Sequence, residues 1–135
     1  MNYLFDDEIL DAKAIIDLIN TRKLSIKELA YRLKDMTYND LTVLRCDALV
    51  DREYYAAAII TKATREIIVS YAQKINKMVL FSDFMNMQIT DDYEMLIQIR
   101  IYMYENIRDY YEKSLIFIDN EIQTKRELVR KQNLD

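Results

Sequence analysis

The 135-residue chain contains no glycine, no proline and no histidine, and a single cysteine, Cys46. At average usage about nine glycines and seven prolines would be expected in this length. Without them, left-handed turns, tight hairpins and phosphate-cradling loops lose their usual building residues. P-loops, dinucleotide fingerprints and nucleophile elbows all need glycine and are excluded. The lack of histidine removes Ser-His and Cys-His pairs, imidazole metal ligands and the ordinary neutral-pH proton shuttle. One cysteine can form neither an internal disulfide nor a structural zinc site, which suits a reducing compartment such as the cytoplasm.

What remains is helix-forming sequence joined by Asn, Asp, Ser and Thr turns. Hydrophobic residues make up 51% and charged residues 31% of the chain, which excludes disorder. No apolar run approaches the ~18 residues of a membrane span, and the acidic start Asp6-Asp7-Glu8 is unlike an export signal. The net charge of −4 disfavours a general nucleic-acid or anionic-membrane binder. The size predicts one domain, residues 1–135, of the all-α class: a helical bundle of about five helices with a long C-terminal helix.

The first helix is predicted from Asp6 or Asp7 to about Asn20, with Ile9, Ala12, Ile15, Ile16 and Ile19 as its apolar stripe. Ser25-Ile-Lys-Glu28 is a capping box, with Leu24 and Leu29 placed as a hydrophobic staple. That second helix is expected to bury Ile26, Leu29, Ala30, Leu33 and Met36, and the Thr37-Asp40 cluster marks its end or a turn. A third helix, carrying Leu41, Leu44, Ala48 and Leu49, runs from about Asp40 to a break near Asp51. A central helix follows from Arg52 to Leu80, with Ala56, Ile60, Ala63, Ile67, Tyr71, Ile75 and Met78 along one face. No strand is expected. Ser82-Asp83 suggests a bend, and Thr90, Asp91 and Asp92 cap the last element.

From Asp92 to about Gln132 there is no strong breaker, so this stretch reads either as one helix or as a helix that kinks near Asp119-Asn120 and folds back. A 4-3 spacing places Tyr104, Tyr111, Leu115, Ile118 and Ile122 on one seam, broken by Arg108 and Lys125. Beyond Ile118 the apolar face narrows, and residues 118–135 read as a tail that projects or packs on another copy.

Among the acids, Glu105, Asp109 and Glu112 recur at i, i+4 and i+7, and Glu8 with Asp11 forms an ExxD pair. Paired carboxylates across a bundle can hold magnesium for nucleotide hydrolysis. The ExxE partner such hydrolases carry is missing here, so a solvated face explains these acids better. Cys46, between Leu44 and Ala48, reads as a buried thiol. Leu24-Ser-Ile-Lys-Glu-Leu-Ala-Tyr-Arg-Leu33 resembles the opening helix of a helix-turn-helix, which would imply a DNA-binding regulator using Lys27, Arg32 and Lys34. Lys34 stands where that motif has its turn glycine, and Asp40 where an apolar residue should follow.

Eleven tyrosines and seven methionines add large, adaptable apolar surface. The residues together favour a non-enzymatic protein-protein interaction module, an adaptor, inhibitor or assembly factor with a protein partner and homo-oligomeric self-association, without cofactor or metal. Its residue usage fits a virus or mobile element. The interface residues are Tyr104, Tyr111, Leu115, Ile118 and Ile122. The alternatives are the helix-turn-helix regulator and the carboxylate-metal hydrolase.

Overall fold

The structure, a computed structural model, describes residues 1–80, 89–106 and 112–134. It is all-α apart from one small hairpin: β1 (Asn2–Phe5), β2 (Glu8–Asp11), α1 (Ala12–Arg22), α2 (Ile26–Leu33), α3 (Tyr38–Val50), α4 (Tyr54–Leu80), α5 (Tyr93–Glu105) and the long C-terminal α6 (Glu112–Leu134). The chain forms two compact units, Met1–Ile67 and Ile68–Asp135, and the 27-residue α4 runs through the boundary between them.

The first unit opens on the main departure from sequence expectation. β1 and β2 pair antiparallel with Asn2 opposite Asp11 and Phe5 opposite Glu8, leaving Asp6-Asp7 as a two-residue turn. Both turn residues have positive φ, 49° and 68°, as a hairpin of this length demands. Aspartate tolerates the left-handed region better than other non-glycine residues, so the pair does work that glycine does elsewhere. The turn is held from outside, because the Asp6 N–H donates to the Arg32 carbonyl at 3.0 Å and Arg32 Nη1 donates to Asp6 Oδ2 at 2.7 Å. Tyr3 and Phe5 then bury their side chains on one face of β1, while Leu4 points the other way.

The predicted first helix therefore begins later. Its N-cap is Asp11, whose Oδ1 accepts from the Ala14 N–H at 2.8 Å, and neither Asp6 nor Asp7 caps it. Ile15, Ile16 and Ile19 are buried as the stripe requires, but Ile9 lies on β2 and is exposed. The Ser25 half of the capping box is formed: the Glu28 N–H donates to Ser25 Oγ at 3.2 Å, and Leu24 and Leu29 are both buried. Thr37 caps α3 through the Asp40 N–H, and Asp51 ends it, followed by Arg52 at φ 59°. Leu41, Leu44 and Ala48 are the buried positions of α3. Cys46 is exposed, contrary to expectation. At about 100° per residue it sits roughly 200° from both Leu44 and Ala48, on the opposite side of the helix.

In the second unit the C-terminal half of α4 buries Ala72, Ile75, Met78 and Val79. Asp92 caps α5 as expected, accepting from the Met95 N–H at 3.2 Å. The stretch from Asp92 onward is neither one helix nor a helix bent at Asp119-Asn120. α5 ends at Glu105, with the Asn106 N–H donating back to the Tyr102 carbonyl, and α6 is continuous through Asp119 and Asn120. The two helices pack on each other. Arg100 Nε donates to Asp119 Oδ1 at 2.8 Å, Arg126 Nε to the Tyr93 hydroxyl at 3.3 Å, and Lys125 bonds Asp91. Those ties fix an antiparallel register and hold α6 as far as Arg126. Between α6 and α4, the fully buried Ser114 donates to Asn76 Oδ1 at 3.0 Å. The bend expected at Ser82-Asp83 lies outside the described residues.

Candidate functional site

The five seam residues do not share one continuous helix face. Tyr104 lies on α5 and is 63% exposed, while Ile118 and Ile122 lie on α6 and are buried within their own unit. Leu115 is half-buried, and Tyr111 lies outside the described residues. The reason is the antiparallel return: α6 packs on α5, and the buried apolar positions are Met95, Leu96, Ile99 and Met103 on α5 and Ile118 and Ile122 on α6.

Tyr104 instead ends a short chain of interactions at the surface. Asp119 of α6 holds Arg100 of α5, and the Arg100 guanidinium lies 5.2 Å from the centroid of the Tyr104 ring. A cation over the face of an aromatic ring is attracted by the ring quadrupole. Arg100 thus restrains the ring, and less rotamer freedom is lost when something packs on it. Ile101, three residues earlier on the same helix, is 45% exposed, and Ile116 on α6 is 54% exposed. At the end of α6, Leu128 and Val129 are 47% and 44% exposed. Tyrosine and arginine are the residue types that most often dominate binding energy at protein interfaces.

Other sequence candidates resolve differently. Glu8 and Asp11 occupy a strand, where residues three apart point to opposite faces, and Asp11 is engaged as a helix cap. Asp109 lies outside the described residues. Among the described residues no three acidic, cysteine or histidine side chains gather into a cation site. In the helix-turn-helix-like segment, Lys34 adopts a right-handed conformation, φ −57° and ψ −27°, rather than the left-handed turn a glycine supplies in that motif. Asp40 sits in the first turn of α3, where its N–H joins the Thr37 cap and its charge favours the helix dipole. Lys27, Glu28, Tyr31, Asp6 and Arg32 line an open cleft of about 430 Å³. Its Arg32 and Asp6 are spent on each other and its charges are mixed, so it presents no concerted acid, base or nucleophile.

Sequence reasoning missed the exposed apolar pair Leu4 and Ile9 on the hairpin, 38% and 66% exposed, and the group Leu49, Val50 and Tyr54 beside Arg52. Alternation over Tyr3-Leu-Phe5 and Glu8-Ile-Leu10 around a two-residue acidic turn was the available signal for the first.

Among the described residues no helix is long and apolar enough to cross a membrane. The fold thus defines an all-α protein with a hairpin at its first unit and a long C-terminal helix. Comparison of the chain with protein-family models, curated protein sequences and solved structures finds no match.

Proposed function

We propose that this chain is a non-enzymatic protein-interaction module, an adaptor, inhibitor or assembly factor that works by helix-face packing and by self-association. The observation that carries the reading is the Asp119–Arg100–Tyr104 arrangement, which keeps a large aromatic ring exposed and restrained beside the exposed Ile101. An exposed ring held by a cation and flanked by an aliphatic side chain is an anchor for a partner's apolar face. Of the seam residues, Tyr104 makes this contact; Leu115 is half-buried on α6, and Ile118 and Ile122 support the pair of helices from within. The protein acts in the cytoplasm, where its lone exposed Cys46 stays reduced, and its residue usage is that of a virus or mobile element.

The test is solution mass by light scattering over a concentration series, for the natural chain and for a Tyr104→Glu, Ile101→Glu variant. A concentration-dependent dimer or larger species that the variant loses, with helical circular dichroism unchanged, is the expected result. A natural chain that stays monomeric throughout would remove the self-association.

A further inference from the structure

The hairpin carries a second, independent surface, and it follows from the backbone. With a two-residue turn, Phe5 and Glu8 form the first hydrogen-bonded pair and Tyr3 and Leu10 the next. Leu4 and Ile9 then face each other without exchanging ladder bonds, so the N–H and C=O of each point outward to the two edges of the sheet. Among the described residues, neither makes a backbone bond to another element. Both α1 and α2 pack on β1, whereas β2 is accompanied by α1, the helix that continues from it. The β2 edge is therefore the better candidate for an added strand.

The side chains say what such a strand would carry. Ile9 is 66% exposed and sits between Asp7, Glu8 and Asp11, all exposed. None of the three acids is in an ion pair among the described residues. A second copy of β2 is a poor occupant. Antiparallel pairing centred on Ile9 would set Asp7 against Asp11 of the other copy, and pairing centred between Ile9 and Leu10 would set Glu8 against it. Like charges directly opposite each other destabilise a strand pair. A basic segment meets the opposite situation at every one of those positions.

We infer that the β2 edge accepts an extended segment of another protein as a third strand, with an apolar residue over Ile9 and Lys or Arg two positions to either side, facing Asp7 and Asp11. Main-chain bonds to Ile9 supply the attachment, and the acids select for a basic sequence.

The probe is a blocked five-residue peptide with a central valine, lysines at both ends and threonines between, titrated into the full chain and followed by amide exchange at Ile9. Slowed exchange of the Ile9 N–H with the lysine peptide, and none with the same peptide ending in glutamates, is the expected result. Methylating the valine nitrogen should abolish binding. The Asp7→Asn, Asp11→Asn variant should weaken it by roughly fivefold, since asparagine tolerates the left-handed turn position at residue 7 and retains the cap of α1 at residue 11. Unchanged Ile9 exchange with the lysine peptide overturns the proposal, as does equal binding of the methylated peptide, which would reduce it to diffuse charge attraction. Ile9 protection that grows with protein concentration alone would also overturn it, by making a second copy the occupant. None of these readouts depends on Tyr104.

Discussion

The Tyr3 hydroxyl donates to Asp47 Oδ2 at 3.1 Å, joining the hairpin to the middle of α3 across 44 residues of chain. Tyr3 is 1% exposed, and burial, followed by that hydrogen bond and the nearby carboxylates of Asp47 and Asp40, pushes its pKa up from 10.0 to about 12. A folded-state pKa above the unfolded one means that the folded chain keeps the phenolic proton while the unfolded chain releases it. The contribution is fully present below pH 10 and is lost as pH rises from 10 toward 12. Over that window the loss is about 3 kcal/mol. Tyr3→Phe should cost about 1 kcal/mol at neutral pH, the worth of a net hydrogen bond. It should also remove this alkaline decline, so that the gap between natural chain and variant narrows and then reverses. Urea denaturation at neutral pH and on either side of pH 10 checks both parts.

Asp7 and Arg52, at φ 68° and 59°, occupy backbone regions that favour glycine. Arg52 is exposed and makes the turn between α3 and α4, while Asp7 shares the hairpin turn with the tethered Asp6. Asp7→Gly and Arg52→Gly should each raise stability by about 1 kcal/mol, by relieving a left-handed L-residue. Melting temperatures higher by roughly 4 °C would be read in a thermal scan. Arg52→Val should move the midpoint the other way, since a β-branched side chain fits positive φ worst.

The second unit separates structural from surface residues within the predicted seam. Ile118, fully buried on α6, should cost about 2–5 kcal/mol on truncation to alanine. Tyr104→Ala, at an exposed position, should change stability by less than about 0.5 kcal/mol. Chemical denaturation of the two variants distinguishes them. If Tyr104→Ala proved as costly as Ile118→Ala, the aromatic ring would be part of the core.

Most of the helical scheme was legible because its signals are local. Ser25 and Asp92 each cap the helix that follows them, and the stripe from Ala56 through Met78 keeps one side of α4 buried apart from the half-buried Tyr71. Cys46 could have been placed too, since its angular distance from Leu44 and Ala48 is a property of any α-helix. The hairpin was harder. Asp6-Asp7 satisfies the local rule for a helix start as well as that for a left-handed turn, and a chain without glycine argues against the turn.

Sequence alone determined an all-α protein and the caps at Ser25 and Asp92, because periodicity and capping act over a few residues. Tertiary structure decided between the two uses of Asp6-Asp7. The turn wins because it buries Tyr3 and Phe5, lets Tyr3 reach Asp47 and lets Asp6 meet Arg32, partners 44 and 26 residues away. It decided the fate of the C-terminal stretch in the same way. No residue from Asp92 to Gln132 forbids a single helix, but only a return at Asn106 brings Arg100 to Asp119 and Tyr93 to Arg126. That return buries Met95, Leu96, Ile99 and Met103 together with Ile118 and Ile122, and leaves Tyr104 facing solvent. The apolar area removed from water outweighs the few backbone bonds lost at the break, and that balance exists only once the two helices meet.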